Sequence, residues 1–593
     1  MSELESGESV KSKPIYYGVN SLDERLQVSD SLPYAIERSG QAIMGYSQQA
    51  SSASVNNVQF TLNVPNLSTL IDRHIYIRTT LQWTLSGANG NAGVPFLSNV
   101  DGAGAVGTWG NGFGFAPFPF HQMVSSLTVT INQQPITINM NECLPLLQRM
   151  FERDVLEESC NETPCMLDYF QSYDSGFSAI TTPRQSNVLG DASYATAITS
   201  GVKPRGSYYV TVANVGGNGG TSATVTATIV EPLLLSPFLI GYMNQNQQGM
   251  YGIQNISFNF TLQPNNCRSL RVRPAFTNVT ACALTSITQA STYLDVTYIT
   301  PPSGSKLYLP SRNEVPYMQV ESQRTQAPAI ANGATAIISS NDYQLSKMPD
   351  KVLICARKKL SNQICTDSDC YLPISGVSVV FGGNSGILAS TTQHQLWQAS
   401  VRNGSNQSWD EFSGVTSIGG ASIATCGSVL ALAFGKDIAI ADPFTVSGSL
   451  GSYNFQVQVT VLNNTGANIV GNGDYELFMV FLYGGIFVNE LSTSSIVVGF
   501  VDKMSVERVS NEDYVDTHSS KRMYGGSFFG SLGKVLKHVK PIARALAPVA
   551  RTAMEGSSND KVRKAASVMK ALGAGMSAGS YTAGSKFAGR LHM

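Results

Sequence analysis

Charge is scarce in this chain: Asp, Glu, Lys and Arg make up only 13% of its 593 residues. So low a density excludes a strongly acidic or basic solvating protein, and it suits surfaces that pack against copies of themselves. Long apolar runs are absent too. No window approaches the roughly 18 uncharged apolar residues that span a bilayer as a helix. The opening stretch MSELESGESVKSKPIYYG has no basic region followed by an apolar one, so no secretory signal is expected. On that reading the chain is made inside the cell, and the sequons at Asn255 and Asn278 are chance matches.

Signatures of catalysis are equally thin. No GxSxG, HExxH or P-loop string occurs. Gly102 to Gly107 satisfies GxGxxG, but Thr-Trp-Gly-Asn-Gly comes next, where a dinucleotide site needs a helix N-terminus. His74, His121 and His394 fall in different expected elements, each read as a structural imidazole. Asp410 and Glu411 are adjacent, so their side chains diverge. The nine Cys lack His at ligand spacing. Cys160/Cys165 and Cys365/Cys370 could each supply half a metal site, but buried reduced thiols are the simpler reading. No catalytic residue, cofactor or metal is therefore expected.

What is present is a β palette rich in Gly, Ser, Thr and Asn. A chain this long exceeds one compact core, so two large domains and an appendage are expected. Val58, Phe60, Leu62 and Val64 alternate with polar residues, as on a half-buried strand. Leu127 to Met140 reads as a hairpin turning at Asn132-Gln133-Gln134-Pro135. Tyr208 to Val212, Val225 to Val230 and Ile256 to Leu262 continue the series. A second series runs through Val352 to Ala356, Val377 to Phe381, Val429 to Phe434, Phe455 to Val461 and Leu477 to Phe481. Two such series predict two antiparallel sandwiches. Local helices are expected over Cys143 to Glu158 and over Thr391 to Val401, the latter with Leu396 and Trp397 facing inward. The Gly/Asn/Ser-rich segments Ser86 to Gly114 and Asn214 to Thr221 read as long end loops.

The carboxyl-terminal part is of another kind. From Ser527 to Met593, eleven basic residues face only Glu555 and Asp560, a balance of +9 in a chain whose net charge is −1. Phe528, Leu532, Val535, Leu536 and Val539 fall at helical spacing, with Phe529 beside them and Lys534, Lys537 and Lys540 toward the other side; Arg544 comes after Pro541, which ends the helix. Such a segment suits an anionic membrane surface or packaged nucleic acid, or docking on an inner wall.

Certain segments resemble a known family. Glu231-Pro-Leu-Leu-Leu-Ser-Pro-Phe-Leu-Ile-Gly241 and Gly252 to Phe260 resemble the first jelly roll of double jelly-roll major capsid proteins. Gly382 to Ser390, Gln393 to Gly404, Ser408 to Gly414 and Gly427 to Thr465 resemble the second. The similarity is to the Polinton-like, adintovirus and virophage group of double-stranded DNA viruses, over roughly residues 55 to 508. It implies a mainly β protein of two consecutive antiparallel eight-stranded jelly rolls with a short helical basic tail. It implies no enzyme but a capsid protein of the virion, made in the host cytoplasm. Three copies would form a pseudo-hexagonal trimer, tiling an icosahedral shell beside neighbouring capsomers and penton or minor capsid proteins.

Met523-Tyr524-Gly525-Gly526-Ser527 resembles the cleavage pattern of adenovirus-type maturation cysteine proteases, and the stretch from Ser527 to Lys534 resembles the start of the membrane-lytic protein VI. Gly-Gly lacks any Cβ, so a narrow cleft can close over it. Leu482-Tyr483-Gly484-Gly485-Ile486 fits the string equally but lies in an apolar strand; only Gly526 comes after a polar linker and precedes the charge switch. The expected layout is an arm over 1–54, rolls over 55–300 and 301–508, a linker over 509–526 and a basic segment over 527–593 acting on membrane lipids or viral DNA. A β-sandwich attachment or fibre-like protein, and a single-jelly-roll RNA-virus capsid protein with a lytic tail, are the rival readings.

Overall fold

The computed structural model describes residues 42–498 except 90–92, 99–104, 106, 111, 153–155, 157–161, 172–204, 207, 239–248, 266–267, 273–278, 302–311, 419–420, 441–447, 465–473 and 491. Two pairs of antiparallel sheets succeed one another along the chain, giving a double jelly roll.

In the first roll, one sheet runs Ala42–Gln49, Tyr293–Thr300, Tyr76–Gly87, Ser222–Pro232, Thr211–Val215, and Val279–Ile287 also pairs with Tyr76–Gly87. The facing sheet runs Gln134–Ile138, Val124–Ile131, Asn255–Leu262, Asn57–Asn63, Ser52–Ala53. Burial alternates residue by residue along Asn57–Asn63 and Asn255–Leu262, as it must where one face meets a core and the other water. Residues 42–49, expected from the sequence to belong to the arm, form an exposed edge strand.

The second roll pairs a sheet of Arg312–Gln326, Tyr475–Glu490, Lys351–Lys358 and Leu430–Ala433 with one of Thr335–Ser339, Leu450–Leu462, Ile374–Phe381 and Asn384–Ile387. Its first sheet is buried on both faces. Leu477, Met479, Phe481 and Tyr483 enter the second roll's own core, whereas Phe478, Val480 and Leu482 join the core of the first roll. Val352, Ile354 and Ala356 divide from Leu353 and Cys355 in the same way. That double burial explains the near-continuous apolar runs Val352 to Ala356 and Leu477 to Tyr483, which a half-buried strand would interrupt with polar residues.

Several local expectations are corrected. The hairpin turns on two residues, Asn132 and Gln133, both at positive φ, with Gln134 and Pro135 already paired to Ile131 and Thr130. A two-residue turn of this hand matches the twist of the strands it joins, and Asn tolerates the conformation. The helix expected over 143–158 is Met140–Leu147, tightening to a 3-10 turn at Gln148–Met150 before Phe151 becomes extended. The strand expected at Tyr208 to Val212 is Thr211–Val215. The helix at Gln393–Arg402 is present, closed by a capping box between Thr392 and Gln395. Its Leu396 is buried, while Trp397 is half-buried and donates Nε1–H to the Gln407 carbonyl at 3.0 Å.

The two expected end loops join. Asn214 Oδ1 accepts from the Leu97 amide and its Nδ2 donates to the Leu97 carbonyl, at 2.8 and 2.7 Å. Phe96, Leu97, Trp109 and Phe113 are buried in the first core, so this stretch folds back as structure and its described part is no free tower.

Candidate functional site

For a protein built as two rolls, the joint between them decides whether it acts as one rigid body. The sheet shared by both cores supplies the apolar half of that joint. A buried charged seam supplies the other half.

Asp369 lies in the Thr366-Asp-Ser-Asp-Cys370 segment of the second roll. Its carboxylate accepts from Arg268 at 2.9 Å, Arg271 at 3.2 Å and Gln122 at 2.9 Å, all three from the first roll. Its backbone N–H donates to Asp168 Oδ2 at 2.7 Å, and Asp168 is also clasped by Arg205. Arg149, in the 3-10 turn after the first helix, crosses to Glu411 at 3.2 Å and donates to the Asp168 carbonyl at 2.6 Å. A second group lies nearby. Arg357 donates Nε–H to Glu476 at 2.9 Å, donates Nη1–H to the Glu142 carbonyl of the first roll at 2.9 Å, and stacks 3.8 Å above the Phe478 ring.

Apart from half-buried Glu411, these groups are nearly or wholly buried. A buried guanidinium persists only when carboxylates and carbonyls replace its hydration. Burial pulls the Arg149 pKa down, but Cys426, Glu411 and Asp168 outweigh it and the net shift is upward. The thiols behave oppositely: burial pushes Cys143, Cys355 and Cys426 up to about 12, so they stay protonated at neutral pH and supply no activated nucleophile. The seam's chemistry is therefore fixation of two sheets at one angle.

Of the cysteines expected as half-sites, Cys165 and Cys365 are buried in the first core and Cys160 lies outside the described residues. Among the described residues no group of three or more potential ligands converges on a metal site. His121 is buried and hydrogen-bonds through Nδ1 to Glu231. His74 pairs with Asp72 at 2.7 Å. His394 packs against Trp397 and Trp409. Glu411 caps its own helix through the Ser408 amide, while Asp410 accepts from Thr416, so the two carboxylates do diverge. Gly484 and Gly485 sit inside the Tyr475–Glu490 strand, paired to Met318 and Tyr317, where no protease cleft can enclose them. Met523, Tyr524, Gly525, Gly526 and Ser527 lie outside the described residues, as do Phe528, Phe529, Leu532, Lys534, Val535, Leu536, Lys537, Val539, Lys540 and Arg544. Missed by sequence reasoning were Asp369, Arg268, Arg271 and Arg357. Their one signal was the presence of charges inside otherwise apolar or Cys-flanked stretches of a charge-poor chain.

The profile described as the Sputnik virophage major capsid protein first domain matches residues 18–307, and that of the major capsid protein V20 C-terminal domain matches residues 317–485. A curated relative, the putative capsid protein V20 of Sputnik virophage, is 27% identical over 543 residues, spanning 88% of this chain and 86% of its own. The chain belongs to the virophage group of double jelly-roll major capsid proteins. The cryo-EM structure of Sputnik virophage superposes with a TM-score of 0.69 at 25% identity, covering 85% of this chain and 97% of that one. The mavirus major capsid protein gives 0.60 at 14% identity, over 83% and 96%. As a member of this group the protein is a structural component of the virion capsid. The Sputnik first-domain profile ends at residue 307 and the V20 profile begins at 317; the described strands on either side are Tyr293–Thr300 and Arg312–Gln326.

Proposed function

We propose that this major capsid protein forms a trimer of pseudo-hexagonal outline, which tiles an icosahedral shell beside neighbouring capsomers and penton or minor capsid proteins. The observation that carries the reading is the joint: two similar rolls share one sheet between their cores and lock through buried ion pairs. A body with two lobes at a fixed angle gives six lobes from three copies. The working units are the arm, cut back to 1–41 because the strands Ala42–Gln49 and Ser52–Ala53 belong to the first roll, the rolls 42–300 and 301–508, the linker 509–526 and the basic segment 527–593.

In this reading a maturation cysteine protease cuts after Gly526, and the released segment acts on membrane lipids through its amphipathic face, with contact to packaged DNA as its other use. Support comes from the charge switch at Ser527 and from the contrast with Gly485, which is held in a paired strand. Electron microscopy of the purified chain should show three-fold particles; a strictly monomeric species overturns the assembly claim. Intact mass of protein from mature particles should end at Gly526, and a chain retaining Met593 removes processing. A peptide of residues 527–541 should leak anionic vesicles, and a peptide without effect defeats the membrane role.

A further inference from the structure

Beside the Arg357 clamp lies a cavity of about 20 Å³ lined by residues that include Arg357, Gln363, Tyr371, Cys370 and Gln171. Three of these present a buried polar atom that makes no hydrogen bond to protein: Arg357 Nη2, Gln363 Oε1 and Tyr371 Oη. Each such atom, left alone, costs free energy comparable to a lost hydrogen bond. Their chemistry is complementary to a single guest. The guanidinium offers N–H, the phenol O–H offers a proton or a lone pair, and the amide oxygen only accepts.

The orientation of the Gln363 amide is fixed, because Nε2 donates to the Lys358 carbonyl at 2.7 Å; reversing it would set carbonyl against carbonyl. Its oxygen is therefore the end left without a protein partner. Burial holds the Tyr371 phenol well above its ordinary pKa, so it keeps its proton.

We infer that this cavity is the binding site of one ordered water molecule, which accepts from Arg357 Nη2 and Tyr371 Oη and donates to Gln363 Oε1. The volume suits one water, which needs roughly 10–15 Å³ of such space and typically makes about three hydrogen bonds. A halide fails because it would face the lone pairs of Gln363 Oε1. An ammonium ion fails because it would face the N–H groups of Arg357. The water completes the hydrogen bonding of the guanidinium whose Nη1 grips Glu142 of the first roll, and so belongs to the joint between the rolls.

Two measurements on the full chain test this. In a high-resolution structure of bromide-soaked protein, one spherical peak about 2.7–3.2 Å from all three atoms, without anomalous signal, is expected; a bromide signal there, or the three groups bonded to one another with no peak, overturns the site. In a double-mutant cycle of Tyr371→Phe and Gln363→Leu, denaturation midpoints should be non-additive because both substitutions loosen the same water. Strictly additive midpoint shifts overturn the bridge.

Discussion

Replacing Asp369 with Ala tests the buried seam at its centre. The substitution removes the acceptor for Arg268, Arg271 and Gln122 together. Arg271 retains Asp168 at 3.9 Å, and Arg268 retains the carbonyls of Asp367 and Ser368 at 3.4 and 3.2 Å, so the loss belongs at the lower end of the about 3–5 kcal/mol typical of breaking a buried pair. The same substitution at half-buried Glu314, which pairs at the surface with exposed Arg312 at 2.9 Å, is worth about 0–1 kcal/mol. Calorimetry converts these figures into a statement about cooperativity. Unfolding entropy is about 2.1 cal/mol/K per residue, so a body of roughly 450 residues melting as one unit has about 1 kcal/mol/K, and 3 kcal/mol lowers Tm by about 3 °C. A roll of roughly 200 residues melting alone would shift by about 7 °C. The joint predicts the smaller shift in a single transition for Asp369→Ala. A shift no larger than that of Glu314→Ala refutes the energetic role of the seam, and two separated transitions in the unsubstituted protein refute the single rigid body.

Lys351 is buried, donates to the Asn403 carbonyl at 2.6 Å, and has its pKa pulled from 10.5 to about 8 by burial. The unfolded chain therefore binds the proton more tightly, and stability rises with pH between about 8 and 10.5, by up to about 3 kcal/mol, while the penalty is constant below that window; urea midpoints of the unsubstituted protein relative to Lys351→Met should rise across it, and a constant difference contradicts the assignment. Gly427 sits at φ +81° with a substituted Cβ only 1.9 Å from the Tyr371 carbonyl oxygen, so Gly427→Ala should destabilise by more than about 3 kcal/mol and drastically lower the soluble yield. Phe481→Ala, deep in the second core, should lose about 3–5 kcal/mol in equilibrium unfolding. Gly526→Val should leave particles carrying the uncut chain, read as intact mass, whereas cleavage undiminished by that substitution would show that the cut lies elsewhere.

The fold was legible wherever side-chain period was local. Val58, Phe60 and Leu62 alternate because one face of their strand meets water, and the structure buries those three. Strand continuity likewise told Gly485 from Gly526 within the sequence itself. The joint was illegible for the opposite reason: Gln122 and Asp369 are 247 positions apart, and no periodicity links a donor to an acceptor across that distance. The same holds for the doubly buried sheet. Phe478 and Met479 look alike in sequence, and only the approach of the first roll decides that they serve different cores. The first helix stopped early because Phe151 turned extended to fill the core, a tertiary demand that overrides spacing.

The sheet between the rolls also sets an order of events during synthesis. Its central strand, Tyr475–Glu490, pairs along one edge with Arg312–Gln326 and along the other with Lys351–Lys358 and Thr493–Val497, yet it is among the last described strands to be translated. Until it emerges, Leu353 and Cys355 lack the neighbour that completes their sheet, and an apolar flank of the finished first roll stands open to solvent. Closure of the second roll and docking of the two are thus one late step. A ribosome stalled before Tyr475 would hold a nascent chain prone to stick to its siblings, and a cell producing many capsid subunits at once must shield that flank until the strand arrives.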